Sequence, residues 1–375
     1  MPRLLTIGHS YVIAGNRQLA HEMAVQGRGR WHVTAVAPAR LAADLRPVTL
    51  EPLDGEACAV EPLELRLARI PHLRRYESRL RSILSAPWDV VHVWEEPYVA
   101  ACAQVAAAAP RGAKVVPATF QNLRKRYPFP FSRFETRVMT RADGWVAFGE
   151  TVHEAQQSKP IYAARPSRII PPGVDVQRFR FETGSRRAVR SACGWDDTVP
   201  VVGFLGRFVA EKGLQTLLRA LAAAREPWRA LFVGGGPMQG ELMAFAGAHA
   251  GRVHVATGVT HDAVPSHLSA MDLLCAPSET TPRWREQFGR MLIEAMACGV
   301  PVLASASGEI PHVVGDAGVV LPEREPSAWT RALDEVLGAP ERRRELAGRG
   351  LARAHERYAL PVVARAHLRF FEERL

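Results

Sequence analysis

Lysine is nearly missing from this chain: only four of its 48 basic residues are lysine, the rest arginine. Cysteine is also scarce. The five present (Cys58, Cys102, Cys193, Cys275, Cys298) stand singly, with no Cys-x-x-Cys pair, which argues against a disulfide framework or a structural zinc site and fits a reducing cytoplasm. No apolar run reaches the roughly 18 residues needed to span a bilayer. The opening Met1–Gly8 is too short and too quickly broken for a signal peptide and reads as a first buried strand. Repeats of 20–50 residues and low-complexity tracts are absent too, and the composition argues against a disordered or fibrous chain. The expected location is the cytoplasm, with room for peripheral contact with a membrane.

What remains is an ordinary globular composition, 47% hydrophobic and 23% charged over 375 residues. A chain of that length buries roughly three quarters of its unfolded surface and needs no metal to fold. Its formal net charge of +10 is uneven. Up to Pro172 there are 23 basic against 15 acidic residues, and beyond it 25 against 23. A basic first half points to an anionic partner such as a membrane lipid, a nucleic acid or a phosphorylated substrate. The arginine-for-lysine, alanine-rich composition offers genome base bias as a plainer explanation.

Short apolar runs followed by turn signals and helical patterns recur along the whole chain. Six such runs lie between Arg3 and Ile170 and six between Val201 and Leu321. Alternating strand and helix predicts parallel sheets covered on both faces. Twelve strands divide into two sets of six at the turn-rich Ile170-Pro171-Pro172-Gly173-Val174-Asp175. The predicted fold class is therefore α/β, with two Rossmann-like domains facing each other across a cleft. Ligands in such sheets bind outside the carboxyl ends of the strands.

The second half carries the sharpest chemical signals. Gly206-Arg207 ends a strand, and Glu211-Lys212-Gly213 opens an amphipathic helix. A glycine turn leading into a helix offers backbone N–H groups and a positive dipole end, and Arg207 and Lys212 add two cations suited to a diphosphate. Further on, Glu286-Gln287-Phe288-Gly289-Arg290 leads into a helix that stops at Gly299 with Pro301 beyond it. Glu294 lies on that helix among apolar residues, where an ionised carboxylate is costly without a partner. Eight residues separate it from Glu286, about 12 Å along a helix, so two carboxylates can grip hydroxyls at both ends of an extended nucleotide-sugar. Gly308-Glu309-Ile310 follows a strand and permits close approach of a ligand to the backbone. Gly234-Gly235-Gly236 lacks the spacing of a dinucleotide fingerprint and reads as a tight turn.

Together these segments resemble the retaining glycosyltransferases of family 4, densely from about Ile169 to Pro322 and loosely before that. The resemblance implies a GT-B fold with an acceptor-binding domain over 1–172, a donor-binding domain over 173–357 and a helix over 358–375 crossing back to the first domain. It implies a nucleoside-diphosphate sugar as co-substrate, no cofactor and no metal. It assigns Arg207 and Lys212 to the diphosphate, Glu286 to the donor sugar and Glu294 to the nucleotide ribose. Gly206, Phe288, Gly289, Arg290, Gly308, Glu309 and Ile310 complete the donor cradle.

The sequence departs from the family pattern in places. The stretch Thr280–Arg285 is longer than usual, and Glu279 offers a second alignment for the first acid. Only Glu286 keeps the eight-residue spacing. Many relatives carry a histidine where this chain has Thr119-Phe120-Gln121-Asn122, which leaves His9 or His92 as catalytic candidates in the first domain. Gly8, Ser10, Gly15, Asn16, Arg17, Gln121 and Asn122 form the expected acceptor side. The acceptor expected is a glycan, a lipid-linked sugar or a small molecule.

Two basic stretches of the first half remain unassigned. Arg66, Arg69, Arg74, Arg75, Arg79 and Arg81 interleave with apolar residues, and Arg124-Lys125-Arg126 precedes Tyr127-Pro128-Phe129-Pro130-Phe131. They suit an anionic membrane surface or a solvated helix face. Rival functions are a nucleotide-sugar 2-epimerase, which needs no acceptor, and an inactive sugar-nucleotide-binding protein. A nucleic-acid-binding protein is disfavoured because no helix-turn-helix, RNP or zinc-finger pattern is present.

Overall fold

The computed structural model describes residues 1–41 and 47–375. They form two compact units, Met1–Gly173 together with Leu360–Leu375, and Val174–Ala359.

The first unit is built on seven strands: β1 (Arg3–Ile7), β2 (His32–Pro38), β3 (Ala59–Leu63), β4 (Val90–Val93), β5 (Lys114–Thr119), β6 (Trp145–Ala147) and β7 (Ser167–Ile169). Their order is β7-β6-β5-β4-β1-β2-β3, and every neighbouring pair is parallel. The sheet has one strand more than the apolar runs predict. β3 reads Ala-Val-Glu-Pro-Leu, so Glu61 and Pro62 interrupt its apolar pattern. Proline is tolerated there because β3 lies at the sheet's edge, where one row of N–H groups has no ladder partner.

Side chains alternate between the two faces with the period of two that a strand imposes. Leu5, Ile7, Val91, Val93 and Val115 enter one core, while Leu4, Val33, Val90, Val116 and Val146 enter the other. The second core is closed by the helices Ala14–Gln26 and Leu360–Glu372, through Leu19, Ala20 and Met23 on the first and Val363, Leu368 and Phe371 on the second. The last helix begins at Leu360, two residues after the expected start. Ala354–Tyr358 make a π-helical turn, and Tyr358 packs in the core of the second unit.

The second unit has six parallel strands: β8 (Val201–Arg207), β9 (Arg229–Gly235), β10 (Val253–Thr257), β11 (Leu273–Ala276), β12 (Val302–Ser305) and β13 (Val319–Leu321), in the order β10-β9-β8-β11-β12-β13. In both sheets the strand order reverses once, beside β1 and β4 in one unit and beside β8 and β11 in the other. These reversals create the crevices at the carboxyl ends where ligands of doubly wound sheets bind. Among the described residues no helix is long and apolar enough to cross a membrane.

Candidate functional site

In the second unit the segments singled out by sequence gather at the carboxyl ends of β8, β9, β11 and β12. Arg207 closes β8 and is exposed. The chain then makes a single 3-10 turn, Ala210–Lys212, and enters the helix Leu214–Ala223 through Gly213 at φ 68. A Cβ on Gly213 would stand 1.8 Å from the carbonyl oxygen of Pro277, so only glycine lets the turn seat against the strand β11. The Glu279 N–H donates to the Glu211 carbonyl at 2.8 Å and fixes the same seating.

This docking delivers Lys212 to Glu286. Its Nζ donates to Glu286 Oε2 at 2.5 Å, and Ser278 Oγ donates to the same oxygen at 2.9 Å. Glu286 is buried, and these donors offset part of its lost solvation. The backbone of Glu286 is held as firmly. Its carbonyl accepts from the Glu309 N–H at 3.1 Å and its N–H donates to Ser307 Oγ at 3.4 Å. The long Thr280–Arg285 stretch folds into a turn closed by Thr281 N–H to the Trp284 carbonyl at 2.7 Å, and the Trp284 ring lies 5.2 Å from Lys212 Nζ. Glu279, the other possible acid, is occupied elsewhere: it accepts from Thr216 Oγ1 at 2.7 Å and pairs with Arg324 at 3.0 Å.

Glu294 projects from the helix Arg290–Ala297, which Gly289 opens at φ 81. It is buried, yet it does not pair with its neighbours on the helix. Its nearest ionic partner is His261, whose Nε2 lies 3.8 Å from Oε1, beyond hydrogen-bonding range. His261 is oriented by Arg178, which donates to its Nδ1 and its carbonyl, each at 2.7 Å. An unprotonated Nδ1 puts the ring proton on Nε2, facing Glu294. Neither Arg178 nor His261 carries a motif in the sequence; they reach Glu294 only through the fold. Phe288 and Ile310 point into the core, so only their backbones are available to a ligand. Gly234 and Gly236 do serve as close-packing points. A Cβ on either would meet the backbone oxygen of Gly206 or Phe208, at 1.9 and 2.6 Å.

In the first unit, His9 follows β1 on the short 3-10 turn His9–Val12. Its Nδ1 lies 2.9 Å from Glu95 Oε1, and its backbone N–H donates to the same oxygen. Nδ1 thus faces the carboxylate as the donor, and Nε2 is the ring nitrogen left for other contacts. Among the described residues, His9 Nε2, Ser10 Oγ and Tyr76 Oη are all buried without a hydrogen-bond partner, and the His9 and Tyr76 rings are 5.3 Å apart. Sequence reading missed Glu95 and Glu96, although two acids directly after the apolar strand Val90–Val93 are a usable signal.

His92 is a core residue and is withdrawn as a catalytic candidate. It is fully buried, bonds Thr6 Oγ1 through Nδ1 at 2.9 Å, and packs against Trp94, His367 and Phe371. Burial holds its pKa well below the usual histidine value. Arg17 is likewise structural. It is buried and donates to Glu56 at 2.6 Å and to the carbonyls of Tyr11 and Glu51 at 2.6 and 2.7 Å, which commits four of its five N–H groups to holding the fold. Asn16 donates to the Ser10 carbonyl at 3.2 Å. Gln121 binds the Leu123 N–H through its side chain at 3.1 Å, and Asn122 is buried beside it.

Glu96 is the most perturbed carboxyl of this region. It accepts from Thr119 Oγ1 and the Phe120 N–H, both at 2.8 Å, but burial dominates and pushes its pKa up to about 7. A carboxyl raised in the folded state stabilises the fold while protonated, and that contribution is lost as the pH rises through the folded value. Stability is therefore expected to fall by up to about 3 kcal/mol between pH 5 and 8 on this group's account. The variant Glu96→Gln should lack that component of the slope in urea unfolding at the two pH values. Parallel pH profiles for the two proteins would contradict it.

Among the described residues no three His, Cys, Asp or Glu side chains come together as a metal site.

Residues 185–352, all within the second unit, match the family model of glycosyl transferases group 1. Over its whole length the chain shares its fold with HepE of Anabaena solved in complex with UDP, with a TM-score of 0.76, 18% identity and full coverage of both chains. A glycosyltransferase from Rickettsia africae superposes with a TM-score of 0.76 at 14% identity, covering 100% of this chain and 98% of the other. The fold is thus GT-B. Among named proteins, the chain is 36% identical over 242 residues to the D-inositol 3-phosphate glycosyltransferase of Segniliparus rotundus, covering 60% of this chain and 52% of that protein. It is 37% identical over 218 residues to the enzyme of the same name from Mycolicibacterium gilvum, covering 55% and 47%. The chain spans about half the length of these curated relatives.

Proposed function

We propose that the protein is a retaining glycosyltransferase that moves a hexose or hexose derivative from a nucleoside-diphosphate sugar to a glycan, a lipid-linked sugar or a small polyol, without a metal ion. The observation that carries this reading is the Lys212–Glu286–Ser278 cluster, built where a doubly wound sheet binds its ligand and lying inside the segment that matches group 1 glycosyl transferases. Lys212 and Arg207 hold the diphosphate, whose charge grows as the sugar bond breaks. Glu286 accepts from hydroxyls of the donor sugar. Glu294, whose nearest ionic partner among the described residues is His261 at 3.8 Å, takes the ribose hydroxyls. The helix start at Gly289–Arg290 and the Gly308 turn supply backbone N–H groups.

In the first unit His9, backed by Glu95, receives an acceptor hydroxyl through Nε2. The D-inositol 3-phosphate glycosyltransferases among its relatives favour a phosphorylated polyol as the first acceptor to try. Cations in place of metal-binding acids support metal independence, and retention rests on the family resemblance.

The two acids separate the roles of donor binding. Glu294→Gln is expected to weaken binding of the free nucleoside diphosphate by about tenfold or more, the scale of a hydrogen bond to a charged group. Glu286→Gln should leave that affinity nearly unchanged and impair use of the intact sugar donor. Titration calorimetry with the diphosphate, alongside donor-hydrolysis rates, checks both. The reverse pattern would mean the two acids have exchanged roles.

A further inference from the structure

The two basic stretches of the first unit, which the glycosyl-transfer reading leaves unused, converge in space. The segment Leu65–Tyr76 folds as a small antiparallel pair in which Arg66 stands opposite Arg75. Its His72 ring packs 5.9 Å from Phe131 and 5.5 Å from Tyr98, and Tyr98 in turn stacks on Tyr127 at 4.1 Å. The arginine-rich segment and the Arg124–Phe131 loop therefore form one continuous surface.

Beside it runs a groove of about 650 Å³ with a floor of alanines from the helix Ala100–Ala108 and walls that include Phe134, Arg75, Arg81 and Arg137. Among the described residues no acidic side chain lines the groove. All three arginines are exposed, and among the described residues none has an acidic partner. The neighbouring Arg79, in contrast, is neutralised by Glu61 at 2.6 Å. The same surface holds an unusual share of exposed large apolar side chains. Leu67 and Ile70 are 57% and 48% exposed on the arginine-rich segment, and Phe129 is 79% exposed on the basic loop.

We propose that this face of the first unit docks on an anionic lipid bilayer, with lipid phosphates seated among Arg75, Arg81 and Arg137 and with Leu67, Ile70 and Phe129 entering the acyl boundary. Neither feature alone specifies a membrane. Unpaired arginines bind any polyanion, and isolated exposed apolar residues are common on protein surfaces. Their combination is what a bilayer rewards, because charge attraction brings the surface close and apolar side chains then leave water. A folded nucleic acid has no use for three protruding apolar side chains. A free phosphate needs neither them nor the apolar floor.

The test is sedimentation of the full chain with vesicles of phosphatidylcholine, and with vesicles in which a third of the lipid is phosphatidylglycerol. The chain is expected to sediment with the second and not the first. Each cation close to an anionic surface is worth roughly fivefold in partitioning, so the triple variant Arg75→Ala/Arg81→Ala/Arg137→Ala should bind about 100-fold more weakly. The corresponding triple lysine variant should retain most of the binding, which separates lost charge from lost folding. Leu67→Ser/Phe129→Ser should abolish whatever binding survives in half-molar salt. Equal sedimentation with both vesicle types, or an alanine triple variant that binds like the parent, overturns the proposal. So does saturation by water-soluble glycerophosphoglycerol at concentrations as low as those of the vesicle lipid, which would mark a discrete anion site. Tighter binding to an RNA oligonucleotide than to the anionic vesicles would assign the surface to nucleic acid.

Discussion

Replacing Lys212 with alanine is expected to lower turnover by about 10²–10³-fold, the usual effect of removing one preorganised charge from a site where negative charge develops. The ammonium lies 2.5 Å from Glu286 Oε2 in a largely buried pair, and Ser278 also donates to that oxygen. Its removal therefore acts twice. It deprives the departing diphosphate of a cation, and it leaves a buried carboxylate short of a partner, which costs on the order of 3 kcal/mol of stability.

The two effects can be pulled apart. In the double variant Lys212→Ala/Glu286→Gln the buried charge is gone, so the thermal midpoint should recover while turnover does not. Arg207 is exposed, so Arg207→Ala should reduce turnover with little change in stability. Near-normal turnover in both single variants would remove the phosphate assignment altogether.

A comparably large loss is expected from a single methyl group at Gly308. This residue has φ 55, and a Cβ there would lie 2.0 Å from the carbonyl oxygen of Glu286 and 3.0 Å from its nitrogen. The colliding atoms are backbone, so Glu286 itself must move. A displacement of about 1 Å in a positioned group costs roughly 10²-fold in rate. Gly299 provides the control. Its φ is 67, but nothing lies within 4 Å of the corresponding Cβ. Both Gly308→Ala and Gly299→Ala carry the roughly 1 kcal/mol cost of a left-handed alanine. Only the first should lose activity and sugar-donor binding. Similar kinetics for the two would mean that the Gly308 turn does not set the position of Glu286.

The sequence reading reached furthest where local chemistry and fold pattern coincide. Alternating apolar runs mark both sheets because a parallel strand buried on both faces must be continuously apolar. β3 escaped because an edge strand can carry Glu61 and Pro62. The approach of Lys212 to Glu286 is implicit in Gly213, whose lack of a Cβ permits contact with Pro277. Motifs indicate which residues matter, but not which neighbours the fold brings to them. His261 and Arg178 come to Glu294 from distant segments, and Glu95 reaches His9 across 86 residues of chain.

Residue type alone also misleads. Arg17 and His92 have the chemistry of site residues, yet one ties Glu51 and Glu56 to its own helix and the other fills a core beneath the last helix. Burial and partners separate these cases, and neither can be read from spacing.

The central claim is that the second unit presents a nucleoside-diphosphate sugar for transfer with retention, using protein cations in place of a metal. It is tested most directly by incubating the protein with excess EDTA, a nucleoside-diphosphate hexose and a phosphorylated polyol, and reading the anomeric coupling of the product by NMR. The account predicts transfer undiminished by EDTA and a linkage with the anomeric configuration of the donor. An inverted linkage, activity that disappears until magnesium is restored, or no transfer from any nucleoside-diphosphate sugar would contradict it.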